Sequence, residues 1–178
     1  LIQLAMNGTL DITEEQHLDI STRKTAYLFS ACSRLGGILG SVDGRKEESL
    51  RLYGLNVGLA FQLVDDVLDF TSSESALGKP VGSDLREGKL TLPLIYLMRD
   101  GESRHRELVR KALRDSELDA ADRDEIFRLV REYHTADRVL EKAHDYAQEA
   151  KSCLADFPPS EARDALMSIP DYIVERDR

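Results

Sequence analysis

From Leu52 to Val64 the chain carries no charge, and its apolar residues fall at every angle of the helix such a run forms. A helix that is apolar all round belongs inside a bundle rather than on its surface. The next turn nevertheless reads Asp65-Asp66-Val67-Leu68-Asp69. Helical periodicity stacks Asp65 and Asp69 on one face and sets Asp66 about 100° away. Carboxylates this close repel one another, and burying each ion without a partner costs several kcal/mol. Protonation relieves that cost, and so do hard cations that take oxygen ligands. Mg²⁺ suits the second route, because it uses one or two carboxylates and leaves its other positions to water and phosphate. The bland alternative is a solvated acidic turn at a helix end. An EF-hand is excluded, since its ligands alternate along a loop built around a central glycine.

The neighbours of this turn favour the cation. Gln62 lies one turn earlier and faces the same way. Lys79 and Lys89 follow in a small, polar, glycine-rich stretch, each directly after a glycine, with Asp84 between them. Glycine lets backbone approach a diphosphate closely, and the lysine ammonium reaches it as a point charge. Residues 71 to 90 read as a loop of unusual length, and long loops inside compact domains are more often functional than idle.

Helical periodicity covers almost all the rest, and alternating β-branched runs are absent, so the fold class is all-α, a helical bundle forming one domain over residues 1 to 178. Asp11 or Thr13 is placed to cap a helix opening with Glu14 and Glu15. A second long helix is predicted from Arg45-Lys46 to about Phe70. Thr91 is the expected N-cap of a helix with Pro93 in its first turn, and Gly101 its left-handed stop. A helix over 103 to 114 comes next. From Asp122 an amphipathic stripe runs through Ile126, Leu129, Val130, Val139, Ala143, Ala147 and Leu154, with a break near His134-Thr135. Ser160 caps a last helix over 161 to 175 that contains Pro170.

Several function classes fall away on charge and hydropathy. The net charge of −9 over 178 residues argues against nucleic acid, whose affinity rests on Lys and Arg. No apolar run approaches the roughly 18 to 20 residues that cross a bilayer, and a cytoplasmic, non-membrane protein is expected. Cys32 and Cys153 show no metal-ligand spacing and read as buried structural thiols. His17, His105, His134 and His144 sit among charged neighbours and read as solvated surface. Tyr27, Phe29, Phe127 and Tyr133 read as core, and Arg176 and Arg178 as a frayed terminus, the alternative being that they close over the site in the intact protein.

FQLVDDVLDF over residues 61 to 70 resembles the second aspartate-rich motif of the trans-isoprenyl diphosphate synthases, or polyprenyl synthetases. GKPVGSDLREGKLTLP over 78 to 93 resembles the block that comes after that motif in the family, and Lys24-Thr25 within RKTAYLF resembles its lysine-threonine pair. More narrowly, the chain is similar to the octaprenyl and solanesyl type. The resemblance implies an isoprenoid-synthase bundle and Mg²⁺-dependent elongation of an allylic prenyl diphosphate by head-to-tail condensation with isopentenyl diphosphate. It implies Asp65 and Asp66 as metal ligands, with Asp69 a ligand or a water-mediated partner. Lys24 and Lys79 would bind the allylic diphosphate, and Lys89 would help close the loop over it. Thr25, the Lys24 carbonyl and Gln62 would face the developing cation, and Phe61 would line the cavity near the isopentenyl group. The family's usual homodimer is expected.

The chain departs from the family in containing no second DDxxD, and the family's first Asp-rich motif would lie upstream of Leu1. These residues therefore read as the C-terminal half of a prenyl synthase, expected to be inactive in isolation. The alternatives are a non-catalytic helical subunit of a heteromeric prenyl synthase, and a terpene cyclase or squalene-type synthase. The joint presence of Lys24, Lys79, Asp65 and Asp66 argues against the first, and the glycine-lysine block against the second.

Overall fold

The computed structural model describes residues 12–72, 81–114 and 119–176, all as helices and their connections, with no strand among them. Helix α1 (Glu14–Ser21) opens on a capping box. Thr13 Oγ1 accepts from the Gln16 amide at 3.2 Å, while Gln16 Oε1 accepts from the Thr13 amide at 2.9 Å. The alternative cap, Asp11, lies outside the described residues. A π-helical turn, Thr22–Ala26, joins α1 to α2 (Tyr27–Leu39). The remaining helices are α3 (Gly44–Thr71), α4 (Ser83–Arg86), α5 (Leu92–Asp100), α6 (Ser103–Arg114), α7 (Ala120–Glu132), α8 (Thr135–Ser152) and α9 (Glu161–Glu175).

Contacts divide the chain into two compact units. The first draws on Leu1–Ile20 and Asp65–Val139. Its α5 and α7 each pack against α6 and against one another, and α4 packs against α6. The apolar faces seen in the sequence fill its core: Leu92, Leu94 and Leu97 of α5, Val109 of α6, and Ile126, Leu129 and Val130 of α7. The Phe70 and Phe127 rings pack at a tilt, with centroids 5.3 Å apart. The expected break in the long stripe is real, and His134 takes φ of +51° between α7 and α8.

The second unit draws on Ser21–Val64 and Leu140–Arg176. Here the uncharged run of α3 is buried as expected from Val57 to Ala60 and from Gln62 to Val64. Glycine lets α3 approach backbone to backbone: a Cβ on Gly54 would lie 2.4 Å from the Phe29 carbonyl oxygen, and one on Gly58 2.5 Å from Ala26 Cα. Ala143, Ala147 and Ala150 of α8 are fully buried. The Tyr53 hydroxyl donates to the Leu166 carbonyl at 2.8 Å. A largely apolar cavity of about 380 Å³, lined by Leu50, Tyr53, Leu154 and Leu166 among others, lies within this unit. Ser160 caps α9 as expected, its hydroxyl accepting from the Arg163 amide at 3.2 Å.

Several expectations are corrected. The stretch from 71 to 90 holds a short helix, α4, and its residues 73–80 lie outside the described part. Thr91 precedes α5 in extended conformation, but its hydroxyl makes no capping bond. A capping hydroxyl takes the second or third helical amide; the second belongs to Pro93 and is missing, and the third, Leu94, bonds the Thr91 carbonyl at 3.0 Å. Gly101 is extended (φ −74°, ψ 159°), not left-handed. Glycine is needed there for space, since a Cβ would sit 2.6 Å from the Leu97 carbonyl.

Tyr27 is half exposed, because the π-turn inserts a residue and rotates the start of α2 about the helix axis; Phe29, Phe127 and Tyr133 are half-buried. Cys32 is exposed and Cys153 half-buried, so neither is a core thiol. Burial pushes the Cys153 thiol up. His105 is buried rather than solvated, its Nδ1 sharing a 3.1 Å hydrogen bond with the Tyr133 hydroxyl. Among the described residues no helix is long and apolar enough to cross a membrane.

Candidate functional site

In the first unit the three aspartates of the acidic turn stand in different surroundings. Asp69 is fully buried and holds the chain at Gly82, Ser83 and Asp84. Its Oδ1 accepts from the Ser83 amide at 3.1 Å and the Ser83 hydroxyl at 2.9 Å, and its Oδ2 from the Asp84 amide at 3.0 Å. These are the opening amides of α4, which no side chain of α4 itself caps. Gly82, at φ +76°, donates to the Asp69 carbonyl at 3.0 Å. Asp66 is 3% exposed, and its Oδ2 lies 2.8 Å from His17 Nε2. Asp65 is half-buried.

Lys89 closes this segment on itself. Its Nζ donates to Asp84 Oδ1 at 3.0 Å and pairs with Glu87 at 2.6 Å. Gly88, at φ +69°, makes the turn that brings the ammonium back. Burial pulls the Lys89 ammonium down, but the hydrogen bonds to Glu87 and Asp84 outweigh it and leave its pKa raised. Lys79 lies outside the described residues.

The donor set bears on which ion could sit here. Asp65 and Asp66 offer hard carboxylate oxygens, whereas both oxygens of Asp69 accept hydrogen bonds from Ser83 and Asp84. Among the described residues no group of three or more His, Cys, Asp or Glu side chains is arranged around a metal position. A pair of carboxylates without a full protein cage is the way Mg²⁺ is commonly held, with water and phosphate completing its shell. The residues present fit that ion and do not fit a structural zinc, which takes four Cys or His ligands.

In the second unit, the π-turn carries the lysine-threonine pair. Lys24 is exposed and Thr25 half-buried, and the Thr25 hydroxyl donates to Gln62 Oε1 at 2.7 Å. Ala26, fully buried, abuts Gly58. One helical turn has thus widened at the residues predicted to matter, which is where π-bulges are often found. Phe61 is half-buried and stacks on Phe29 with centroids 5.6 Å apart. The Arg176 guanidinium lies 4.2 Å above the Phe61 ring and donates to the Phe61 carbonyl at 3.2 Å. Arg176 is therefore anchored, not frayed; Arg178 lies outside the described residues.

One residue with a place at these clusters was missed, and a second was read as frayed. His17 read as solvated and is buried against Asp66, and the available signal was its register, one turn from Ile20 and Ser21 on the same face of α1. Arg176 gave no local signal beyond being basic.

The sequence matches the Polyprenyl synthetase family model over residues 1–130. It is 38% identical over 167 residues to a prenyl transferase of Cyanophora paradoxa, covering 94% of this chain and 50% of that protein. It is 36% identical over 177 residues to the octaprenyl diphosphate synthase of Haemophilus influenzae, covering 99% of this chain and 54% of that one. The crystal structure of a polyprenyl synthase from Caulobacter crescentus, complexed with calcium and isoprenyl diphosphate, matches with a TM-score of 0.92 at 41% identity, over 99% of this chain and 54% of that one. The chain thus spans about half the length of the curated relatives it matches. With the acidic turn, the lysine-threonine π-turn and this match along most of its length, the chain belongs to the polyprenyl synthetase family.

Proposed function

We propose that the protein is a prenyltransferase that lengthens an allylic diphosphate by head-to-tail condensation with isopentenyl diphosphate. The observation that carries the reading is the buried carboxylate of Asp66, with Asp65 beside it, directly after the uncharged run Leu52 to Val64 of α3. Supporting it are the family match and the bound calcium and isoprenyl diphosphate of the Caulobacter relative. In this reading Asp65 and Asp66 hold Mg²⁺, and Asp69 orders the 82–84 segment beside them. Mg²⁺ held there would supply charge neutralisation to the diphosphate leaving group.

The chain's own groups do the rest. Lys24 and Lys79 bind the allylic diphosphate oxygens, and Lys89 exchanges its pairing with Asp84 and Glu87 for the same anion. The allylic carbon–oxygen bond breaks, and its electron pair leaves with the diphosphate. Gln62 and the Thr25 hydroxyl hold their dipoles, fixed by the 2.7 Å bond between them, toward the carbon that becomes electron-poor. The isopentenyl double bond then forms the new carbon–carbon bond, and a proton passes to the departed diphosphate. Phe61 lines the cavity near the isopentenyl group, where water must be excluded. A homodimer in the cytoplasm is the expected form.

Replacing Asp65 by Ala in the natural protein lowers turnover of an allylic plus an isopentenyl diphosphate by orders of magnitude while the helical circular dichroism stays intact. Undiminished turnover removes Asp65 from the chemistry. Product formed from the allylic diphosphate alone, without isopentenyl diphosphate, points instead to a cyclase.

A further inference from the structure

We infer that His17 is a positioning residue for Asp66, holding its carboxylate in one orientation for a divalent cation. The inference rests on the proposed function, in which Asp66 is a ligand. Its foundation is geometric. His17 Nε2 stands 2.8 Å from Asp66 Oδ2, across 49 residues of sequence, and both side chains are almost wholly buried. An ionised carboxylate only accepts hydrogen bonds, so the ring nitrogen is the donor. The bond leaves the carboxylate lone pairs to offer a cation while fixing the direction in which they point.

The imidazole is itself held. His17 follows the capping box at Thr13 and Gln16, and its amide donates to the Thr13 carbonyl at 3.0 Å. The first turn of α1 therefore fixes the backbone from which the ring projects. Asp66 belongs to a different helix, α3, so the bond ties the direction of the carboxylate to a second element. An aspartate has two side-chain torsions, and without such an anchor its oxygens swing when the ion departs. Outer-sphere partners of this kind tune a metal site by roughly 10- to 100-fold in affinity or activity.

The next aspartate provides the contrast. Asp69 receives its donors from Ser83 and Asp84 on both oxygens and serves the backbone. Asp66 receives a side-chain donor from α1 on Oδ2, suited to aiming a ligand rather than closing a loop.

The test compares His17→Leu, which removes the donor, with His17→Gln, whose amide can reach the same oxygen, in the natural protein. Thermal unfolding is monitored as MgCl₂ is titrated in the presence of inorganic diphosphate, and turnover is measured over the same Mg²⁺ series. His17→Leu should raise the Mg²⁺ concentration at half-maximal stabilisation by roughly 10- to 100-fold, and raised Mg²⁺ should restore much of its turnover. His17→Gln should keep its Mg²⁺ midpoint close to that of wild type, as a retained donor requires. An unshifted Mg²⁺ midpoint in His17→Leu overturns the inference, and so does a Gln variant as impaired as Leu, which would assign His17 to packing. If His17→Leu does not fold, His17→Asn, too short to reach Oδ2, takes its place with the same expectation. Asp66→Asn separates the two levels. If it abolishes the Mg²⁺ response while His17→Leu leaves it intact, only the positioning role falls; if Asp66→Asn leaves the response intact, the ligand reading falls and takes the inference with it.

Discussion

A single hydroxyl in the second unit shows how burial at one residue becomes a stability that depends on pH. Tyr53 is 3% exposed, and its hydroxyl donates to the Leu166 carbonyl, joining α3 to α9. Burial pushes the phenol up to about 12. The folded state thus holds the neutral phenol, and its contribution is complete below the unfolded pKa of about 10 and is lost as pH rises toward 12. The loss over that window is on the order of 2–3 kcal/mol. Tyr53→Phe abolishes the phenolic hydrogen bond, costs on the order of 1 kcal/mol at neutral pH, and flattens the alkaline decline. Urea unfolding of both proteins at neutral pH and near pH 11 measures it. A parallel decline in the two proteins would place the alkaline sensitivity elsewhere.

At the scale of elements, the crossing of α3 with the π-turn and α2 is set by the absence of side chains. Alanine in place of glycine normally gains up to about 1 kcal/mol in a helix. At Gly58 the sign reverses, because the new Cβ meets Ala26 Cα at 2.5 Å and Ala26 Cβ at 3.0 Å, atoms that cannot rotate away. Gly58→Ala is expected to destabilise by about 1–3 kcal/mol. Gly36→Ala, with nothing within 4 Å, is expected to stabilise by up to about 1 kcal/mol. Denaturant midpoints of the two variants should therefore move in opposite directions; a shared direction would mean the crossing yields. The helices themselves were legible: periodicity placed α3 within a residue of Gly44–Thr71 and located the break at His134. The π-turn was not, because one inserted residue among five lies below the resolution of a hydrophobic period, and the exposure of Tyr27 is its consequence. The glycines at 54 and 58 look unremarkable locally, since their need is created by Phe29 and Ala26 on another element.

For the whole molecule, what could be read from sequence was what is written within one stretch of chain. The acidic turn, Gln62, the lysine-threonine pair and the family blocks are contiguous, so their chemistry was visible without a fold. The pairing of His17 with Asp66 and the anchoring of Arg176 on Phe61 join residues 49 and 115 positions apart, and no local pattern encodes them. The same limit applies to surface. The helical pattern of α2 gives no hint that Leu28, Leu35 and Leu39 would be 69%, 56% and 85% exposed, with Ile38 half exposed beside them. At intervals of seven and four these leucines lie along one side of α2. Continuous apolar exposure of this kind marks an interaction face. The net charge of −9 opposes association between copies through repulsion that salt screens, while apolar contact survives screening. These 178 residues on their own are therefore expected to associate with rising concentration, and more strongly as NaCl is raised. Leu28→Glu with Leu39→Glu should abolish the effect. Sedimentation velocity across a concentration series at low and high salt is the measurement. A chain that stays monomeric throughout, or association that weakens with salt, would show that α2 tolerates its leucines in water.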